Sequence, residues 1–231
     1  MANMSTTVTL GSVAAAPITG DVKRFLTGLE VTAFFASILL YIWHWQRTAP
    51  HVWILLLTLM VATHFLHHDT LRNLGLGRRE LRSNAQVALP LMLALFVPLV
   101  VYGFVVGRLK LLVPDLRGFE YLAGYGFWCA CQQYLTQSYF HNRLMSVIRN
   151  PHLCALMVGV MFGAAHIPNP VLMAVTTVAG FIFSEVFARH RNIWPLAFAQ
   201  AVGGILVAAI TPPWLIHNMR VGPGYLYWGI Q

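Results

Sequence analysis

Large polar side chains stand inside three otherwise apolar segments of the chain. They are Gln132, Gln133 and Gln137 in one segment, His166 at the end of the next, and Gln200 in a later one. Such groups pair across helices in a membrane, where each contact contributes about 0.6 to 2 kcal/mol. A histidine can also act as a general base, whereas a carboxamide cannot accept a proton at any relevant pH. The pattern therefore predicts a polar site between three helices with one titratable side chain, His166.

The order and spacing of these residues resemble three motifs of one membrane-protein family. Residues 132–137 read QQYLTQ, where the family has E-E-x-x-x-R, and residues 162–166 read FGAAH, where it has F-x-x-x-H. In the third motif, Gln200 and Gly204 stand at the family's histidine and asparagine positions. In these motifs the chain is similar to the CPBP family of intramembrane endopeptidases, which includes the CAAX prenyl proteases and the Abi bacteriocin-immunity proteins.

The resemblance implies a bundle of membrane helices around a conical cavity. In the family, the first-motif glutamate and the second-motif histidine activate a water molecule that attacks a peptide bond, while the third-motif residues hold the oxyanion. The corresponding catalytic positions here are Gln132, Gln133, His166 and Gln200, and three of these four are substituted. Residues 69–76 resemble the family as well, so the similarity covers about residues 69–205.

The substitutions remove the charges of the motifs and keep hydrogen-bonding groups of similar size. Losing one positioned general base lowers a rate about 10²–10⁴-fold, and several roles are lost together here. We therefore expect a catalytically degenerate member of the family, a pseudoenzyme, which binds a lipid, a prenylated or hydrophobic peptide, or another membrane protein. The alternative is an active intramembrane endopeptidase that uses His166 with an unconventional partner such as Glu185. Glu185 also stands four residues before Arg189, which is the spacing of a structural ion pair.

A second alternative depends on the other histidines. His64, His67 and His68 form an H-x-x-H-H string, as in the metal-dependent hydroxylases and desaturases that modify lipids. Those enzymes need several paired histidine boxes, whereas the remaining histidines of this chain are scattered singly. The structural interpretation is that the three histidines lie at a helix end beside Asp69. A catalytic zinc also needs three protein ligands, and the motif positions supply only one, so we predict no metal and no cofactor.

The elements that must position these residues follow from the composition. Of the 231 residues, 58% are hydrophobic and 10% are charged, whereas soluble domains have about 25% charged residues. Apolar segments without strand-like alternation predict membrane helices, each of which needs about 20 residues to cross the bilayer. We predict an all-α polytopic membrane protein with about seven transmembrane helices in a CAAX-protease-like bundle. The apolar segments are 25–46, 52–67, 86–107, 121–141, 152–166, 171–189 and 193–211.

The distribution of basic residues predicts the orientation in the membrane. Ten of the 15 lysines and arginines fall on the amino-terminal side of the predicted helices and five on the other side. Because cytoplasmic loops carry an excess of Lys and Arg, we expect a cytoplasmic amino terminus. The predicted location is an integral protein of a bacterial inner membrane. The predicted organisation is a flexible tail over residues 1–20, a transmembrane domain over 21–211 and a carboxy-terminal tail over 212–231.

The net charge of +8 does not indicate nucleic-acid binding. The basic residues lie between apolar segments, where anionic lipid headgroups attract them, and no basic stripe is interleaved with aromatic residues. We therefore expect membrane lipids as partners and no nucleic acid. Cys129, Cys131 and Cys154 lie inside apolar segments, which predicts reduced cysteines that serve packing.

Overall fold

The computed structural model describes residues 20–109 and 116–227, without the side chains of residues 116 and 117. All regular elements in these two ranges are helical, as predicted. The α-helices are α1 (Gly20–Leu40), α2 (Gln46–Thr48), α3 (Val52–Leu66), α4 (Leu81–Val105), α5 (Leu116–Gln133), α6 (Asn142–Val147), α7 (Pro151–Ala164), α8 (Pro170–Arg189), α9 (Trp194–Ile210), α10 (Pro213–Ile216) and α11 (Pro223–Leu226). The predicted amino-terminal tail lies outside the described residues, except for Gly20, with which α1 begins.

Each of the seven predicted apolar segments overlaps one of the longer helices. Within residues 20–109 and 116–227, three helical stretches are long and apolar enough to cross a membrane, namely Gly20–Thr48, Leu81–Val105 and Pro170–Arg189. Helices α3, α7 and α9 are apolar but have 15, 14 and 17 residues. At a rise of about 1.5 Å per residue they are shorter than the hydrocarbon core of about 30 Å. The fold is that of a helical membrane protein, and the count of seven spans stays a prediction.

The segment that carries the first motif is not a continuous α-helix. Helix α5 ends at Gln133 and is followed by a π-helical stretch, Tyr134–His141, which leads into α6. Gln137, Tyr139 and His141 in this stretch are fully buried. A π-helix is rare and often occurs at functional sites, because the extra residue in the turn redirects the side chains that follow it.

Helices α7 and α8 pack very closely because small residues form their contact. A Cβ added to Gly159 would lie 2.6 Å from the Thr177 carbonyl oxygen, and one added to Gly180 would lie 2.9 Å from the Gly159 Cα. Such small residues let the backbones of membrane helices approach each other. Asn169 caps α8 by accepting a hydrogen bond from the Leu172 backbone N–H at 3.1 Å. This helical pair fixes the position of His166 in the short connection between the two helices.

The described part of the carboxy-terminal segment is folded against the rest of the protein. It contains α10, a 3₁₀ turn at His217–Met219 and α11. The buried Asn169 side chain donates hydrogen bonds to the carbonyl oxygens of Ile216 at 2.8 Å and Arg220 at 3.1 Å. The Gly222 N–H donates to the Ile167 carbonyl oxygen at 2.8 Å. The segment predicted as a tail is therefore attached to the α7–α8 connection.

Candidate intramembrane site

Three glutamines form a chain of hydrogen bonds between α5 and α9. The Gln133 Nε2 donates to the Gln200 Oε1 at 2.6 Å, and the Gln200 Nε2 donates in turn to the Gln132 Oε1. Gln133 is fully buried, and the other two side chains are half-buried. The Gln133 and Gln200 amides are oriented so that each Nε2 meets an acceptor, which is how such groups are assigned, and Gln132 accepts through its Oε1. The fold thus brings together three of the four positions that the sequence motifs single out.

A tyrosine occupies the space beside the remaining third-motif position, Gly204. A Cβ added to Gly204 would collide with the Tyr125 hydroxyl, which comes from α5. Where the family motif has an asparagine on this helix, the present chain has a hydroxyl supplied by the neighbouring helix. The motifs gave no indication of Tyr125, because a glycine at position 204 shows only that a side chain is missing.

The hydrogen bonds of His166 define which of its ring nitrogens is free to accept. Its Nδ1 lies 2.7 Å from the Phe162 carbonyl oxygen and 3.3 Å from the Thr176 Oγ1. Because a carbonyl oxygen can only accept, the Nδ1 carries the hydrogen and the Nε2 keeps its lone pair. The four-residue spacing in the F-x-x-x-H motif places that carbonyl within reach of the ring. Among the described residues, no hydrogen bond joins His166 to a glutamine, so their convergence stays a prediction.

Three fully buried polar residues follow one another at four-residue intervals through the π-helical stretch. They are Gln133, Gln137 and His141, and each is 0% exposed. The Gln133 Oε1, both amide atoms of Gln137 and the His141 Nε2 make no hydrogen bond with any described residue. A buried polar atom without a partner costs about 1–3 kcal/mol. In this row, Gln137 takes the place of the family's arginine, and neither of its amide atoms has a partner among the described residues.

A buried ionic network, which no sequence motif indicates, lies next to this row. The Arg143 Nη1 contacts the Asp69 Oδ2 at 2.7 Å, and its Nε contacts the Glu30 Oε1 at 3.1 Å. His64 and His67 bind these same carboxylates through the Asp69 Oδ2 at 2.7 Å and the Glu30 Oε2 at 2.8 Å. Arg143 is only 3% exposed. The network ties α1, α3 and α6 together at one end of the bundle.

The network continues to a residue of the first motif. The His64 Nδ1 donates to Asp69, so its Nε2 accepts the hydrogen bond from the Tyr134 hydroxyl at 2.8 Å. Burial would raise the pKa of Asp69, but the hydrogen bonds from His64 and Arg143 outweigh it and hold that pKa below its usual range. Two histidines of the H-x-x-H-H string are thus bound to carboxylates. His64 lies beside Asp69, as the structural interpretation predicted, whereas His67 binds Glu30.

Glu185 belongs to a separate ion-pair cluster. Its Oε2 lies 2.9 Å from the Arg189 Nη2, as the four-residue spacing predicted, and its Oε1 lies 2.7 Å from the His152 Nδ1. Glu185 stands near the carboxy-terminal end of α8, whereas His166 precedes the start of that helix. Fifteen residues of α-helix correspond to about 22 Å, so the two side chains stand at opposite ends of α8.

The comparison with protein families agrees with the motifs. Residues 119–206 match the family model described as type II CAAX prenyl endopeptidase Rce1-like. This region is an Rce1-like domain of the CPBP family. All three motifs lie within it, which confirms the family assignment, whereas residues 69–76 precede it and their resemblance stays a prediction. No curated protein and no solved structure is significantly similar to the chain.

The Rce1-like domain has little capacity for acid–base chemistry at its motif positions. Of Gln132, Gln133, His166 and Gln200, only His166 can exchange a proton near neutral pH. The amides can donate and accept hydrogen bonds, and the Gln133 Oε1 and the His166 Nε2 are two acceptors with no partner among the described residues. The arrangement can therefore bind a polar group in an apolar environment, but its glutamines cannot activate a water molecule.

Proposed function

We propose that this protein is a non-hydrolytic member of the CAAX prenyl endopeptidase family that binds its ligand without cleaving it. The ligand that fits best is a prenylated or otherwise hydrophobic peptide, and a membrane lipid or a partner membrane protein are the other occupants. One observation carries the proposal: the amides at the first-motif and third-motif positions are bonded to each other, in a family whose chemistry needs a carboxylate at the first of these motifs.

The glutamine chain has a structural consequence that a carboxylate pair would not have. Two glutamates at positions 132 and 133 would carry like charges in a medium of low polarity and would need a cation or protons. Amides can hydrogen-bond one another with no net charge, because each contains both a donor and an acceptor. The contact between α5 and α9 is therefore kept while the general base is lost, which supports a binding role for the domain.

The unpaired polar atoms give the proposed site its specificity. A peptide in an extended conformation exposes N–H and carbonyl groups, and these groups must find partners inside a membrane protein. The His166 Nε2 and the Gln133 Oε1 can accept hydrogen bonds from peptide N–H groups, and the Gln137 Nε2 can donate to a carbonyl. Each neutral hydrogen bond of this kind contributes about 0.5–1.5 kcal/mol.

The proposal is tested by measuring binding and cleavage in one experiment. A farnesylated CAAX peptide with a photoreactive group is added to the purified full-length protein, and crosslinked and cleaved peptide are both quantified by mass spectrometry. We expect the farnesylated peptide to crosslink and no cleavage product to form. The same peptide without the farnesyl group should compete poorly for the crosslinking. His166→Ala should weaken crosslinking about fivefold, the loss of one hydrogen bond. The peptide assignment fails if no crosslink forms, and the binding role fails if cleaved peptide accumulates.

An active endopeptidase that uses His166 is the second candidate. It is supported by the lone pair on the His166 Nε2, which is the acceptor that a general base requires. Its carboxylate partner would have to be a residue other than Glu185, which binds Arg189 and His152. The same cleavage measurement separates the two candidates.

A further inference from the structure

The connection between α7 and α8 carries His166, and the carboxy-terminal segment, residues 213–227, is bound to it. The Asn169 backbone N–H donates to the His166 carbonyl oxygen at 2.9 Å. The fully buried Asn169 side chain donates to the carbonyl oxygens of Ile216 at 2.8 Å and Arg220 at 3.1 Å. We propose that Asn169 is a positioning residue, through which the carboxy-terminal segment holds His166 in place. Its effect on ligand binding rests on the proposed function, whereas its effect on the placement of His166 does not.

The two hydrogen bonds of the Asn169 amide hold both ends of an unfavourable backbone stretch. Three consecutive residues there have φ angles of 46°, 52° and 58°, namely His217, Asn218 and Met219. This left-handed region is disfavoured for residues with a Cβ, and such a conformation persists only where the surrounding contacts impose it. Ile216 precedes the three residues and Arg220 follows them, so a single amide group bridges the stretch. Without that amide, we expect the carboxy-terminal segment to lose its fixed position on the α7–α8 connection.

A second set of contacts leads from the segment to the ring of His166. Ile216 belongs to one buried cluster with Leu172, which lies in the first turn of α8. The Thr176 hydroxyl donates to the Leu172 carbonyl oxygen at 2.6 Å. Because that hydroxyl donates its hydrogen to Leu172, its oxygen can accept from the His166 Nδ1–H, which lies 3.3 Å away. Both the backbone and the ring of His166 are therefore joined to the carboxy-terminal segment by short chains of contacts.

The experiment measures the rate at which His166 reacts with diethyl pyrocarbonate, which attacks an unprotonated ring nitrogen of histidine. Purified full-length wild type and Asn169→Ser are labelled in one detergent, and each modified histidine is located by tandem mass spectrometry. Serine still caps α8, but it lacks the amide that donates to the two carbonyl oxygens. His166 is half-buried, so its labelling depends on local opening of the connection. Because each lost hydrogen bond shifts such an equilibrium about fivefold, we expect labelling of His166 to be about fivefold faster or more.

Matched variants separate this effect from the loss of a helix cap. Asn150 caps α7 and is also followed by a proline, but it is exposed, so Asn150→Ser should leave the labelling of His166 unchanged. Gly222 offers a second way to displace the segment, because a Cβ added there would lie 2.9 Å from the Ile42 side chain. Gly222→Ala should therefore accelerate the labelling of His166 as well. Gly224→Ala is its control, since a Cβ at that residue would lie 3.8 Å from its nearest neighbour.

The labelling of a second histidine distinguishes a local change from general unfolding. His141 is fully buried within the bundle, so it should be labelled no faster in any of these variants. Equal acceleration at His141 and His166 would overturn the proposal, because the whole bundle would then be opening. An unchanged rate at His166 in Asn169→Ser would overturn it too. If Asn169→Ser does not fold, Gly222→Ala decides in its place.

Crosslinking of the farnesylated peptide then tests the effect on ligand binding. Asn169→Ser should weaken crosslinking severalfold when His166 is present but should have no further effect in His166→Ala, because Asn169 acts through that histidine. An equal loss in both backgrounds would overturn this route. If the wild type forms no crosslink, the proposed peptide ligand fails, and the labelling rates still decide whether Asn169 positions His166.

Discussion

Replacing Arg143 by glutamine removes the cation that joins two buried carboxylates. Glu30 and Asp69 have side chains that are 17% and 12% exposed, and Arg143 contacts both of them. In the Arg143→Gln variant these carboxylates keep their histidine partners but lose the permanent positive charge between them. The buried ionic network then holds an excess of negative charge in surroundings of low polarity.

The size of the loss in stability follows from the two buried carboxylates that remain without Arg143. Removing one partner of a buried ion pair costs about 3–5 kcal/mol. The two carboxylates keep some contact with solvent and can still protonate, so we expect a loss near 3 kcal/mol, the lower end of that range. For a domain of about 200 residues, each kcal/mol lowers the Tm by about 2–4 °C. The expected decrease in Tm is therefore about 6–12 °C.

The measurement is thermal unfolding of the purified protein in one detergent at neutral pH. Arg149→Gln is the matched control, because Arg149 is exposed and lies in the same part of the chain. It should change the Tm by less than about 2 °C, as surface substitutions do. Adding Asp69→Asn to Arg143→Gln should recover part of the lost stability, since one unpaired carboxylate is removed. If Arg143→Gln unfolds within 2 °C of the control, the network does not stabilise the fold as argued.

Three further predictions concern other parts of the molecule. Gly204→Ala should destabilise the protein by about 1–3 kcal/mol, because its Cβ collides with the Tyr125 hydroxyl, and Tyr125→Phe in the same chain should restore part of the loss in Tm. Because the pKa of Asp69 is lower in the folded state, its carboxylate stabilises the fold fully above its unfolded pKa of about 3.9. This stabilisation is lost as the pH falls through the folded pKa. The Tm of Asp69→Asn should therefore decrease less than that of the wild type between pH 5 and pH 3. With seven spans, a reporter fused after Gln231 should read as non-cytoplasmic and one near Gly20 as cytoplasmic; two cytoplasmic signals would show that the span count is wrong.

The helices and the family were predictable because both follow from local sequence. An apolar segment must become a helix in a membrane whatever its neighbours are, so the seven segments sufficed to place the longer helices. The motif at residues 162–166 was equally local, since its phenylalanine carbonyl and its histidine are four residues apart. The free cysteines at positions 129, 131 and 154 were also foreseen, because all three lie inside apolar segments.

The ionic network was not predictable from one sequence because its contacts are distant along the chain. Glu30 and Arg143 are separated by 113 residues, and Asp69 and Arg143 by 74. In the sequence, Arg143 is one of 15 lysines and arginines, which bear only on the orientation of the protein in the membrane. Nothing in its local sequence distinguishes it from the exposed Arg149. Only the packing of α1, α3 and α6 against one another decides which arginine is buried.

The π-helical stretch and the contact of Tyr125 with Gly204 were not predictable from the sequence for a related reason. The apolar pattern of residues 121–141 fits an α-helix, and the extra residue per turn over Tyr134–His141 depends on tertiary contacts of its buried side chains. The role of Tyr125 depends on how closely α5 approaches α9 at Gly204. The pattern of a single sequence predicts the periodicity of a helix, but it does not predict the distance between two helices.

The central claim, that the Rce1-like domain binds but does not hydrolyse, is tested most directly by the cleavage rate of a farnesylated CAAX peptide. The rate is measured by mass spectrometry for the purified wild type, for His166→Ala, and for Gln132→Glu combined with Gln133→Glu. We expect no turnover from any of the three, and a less stable double variant, because Gln137 and Gln200 still stand where the family has arginine and histidine. Cleavage by the wild type that disappears in His166→Ala would contradict the claim and establish an active endopeptidase.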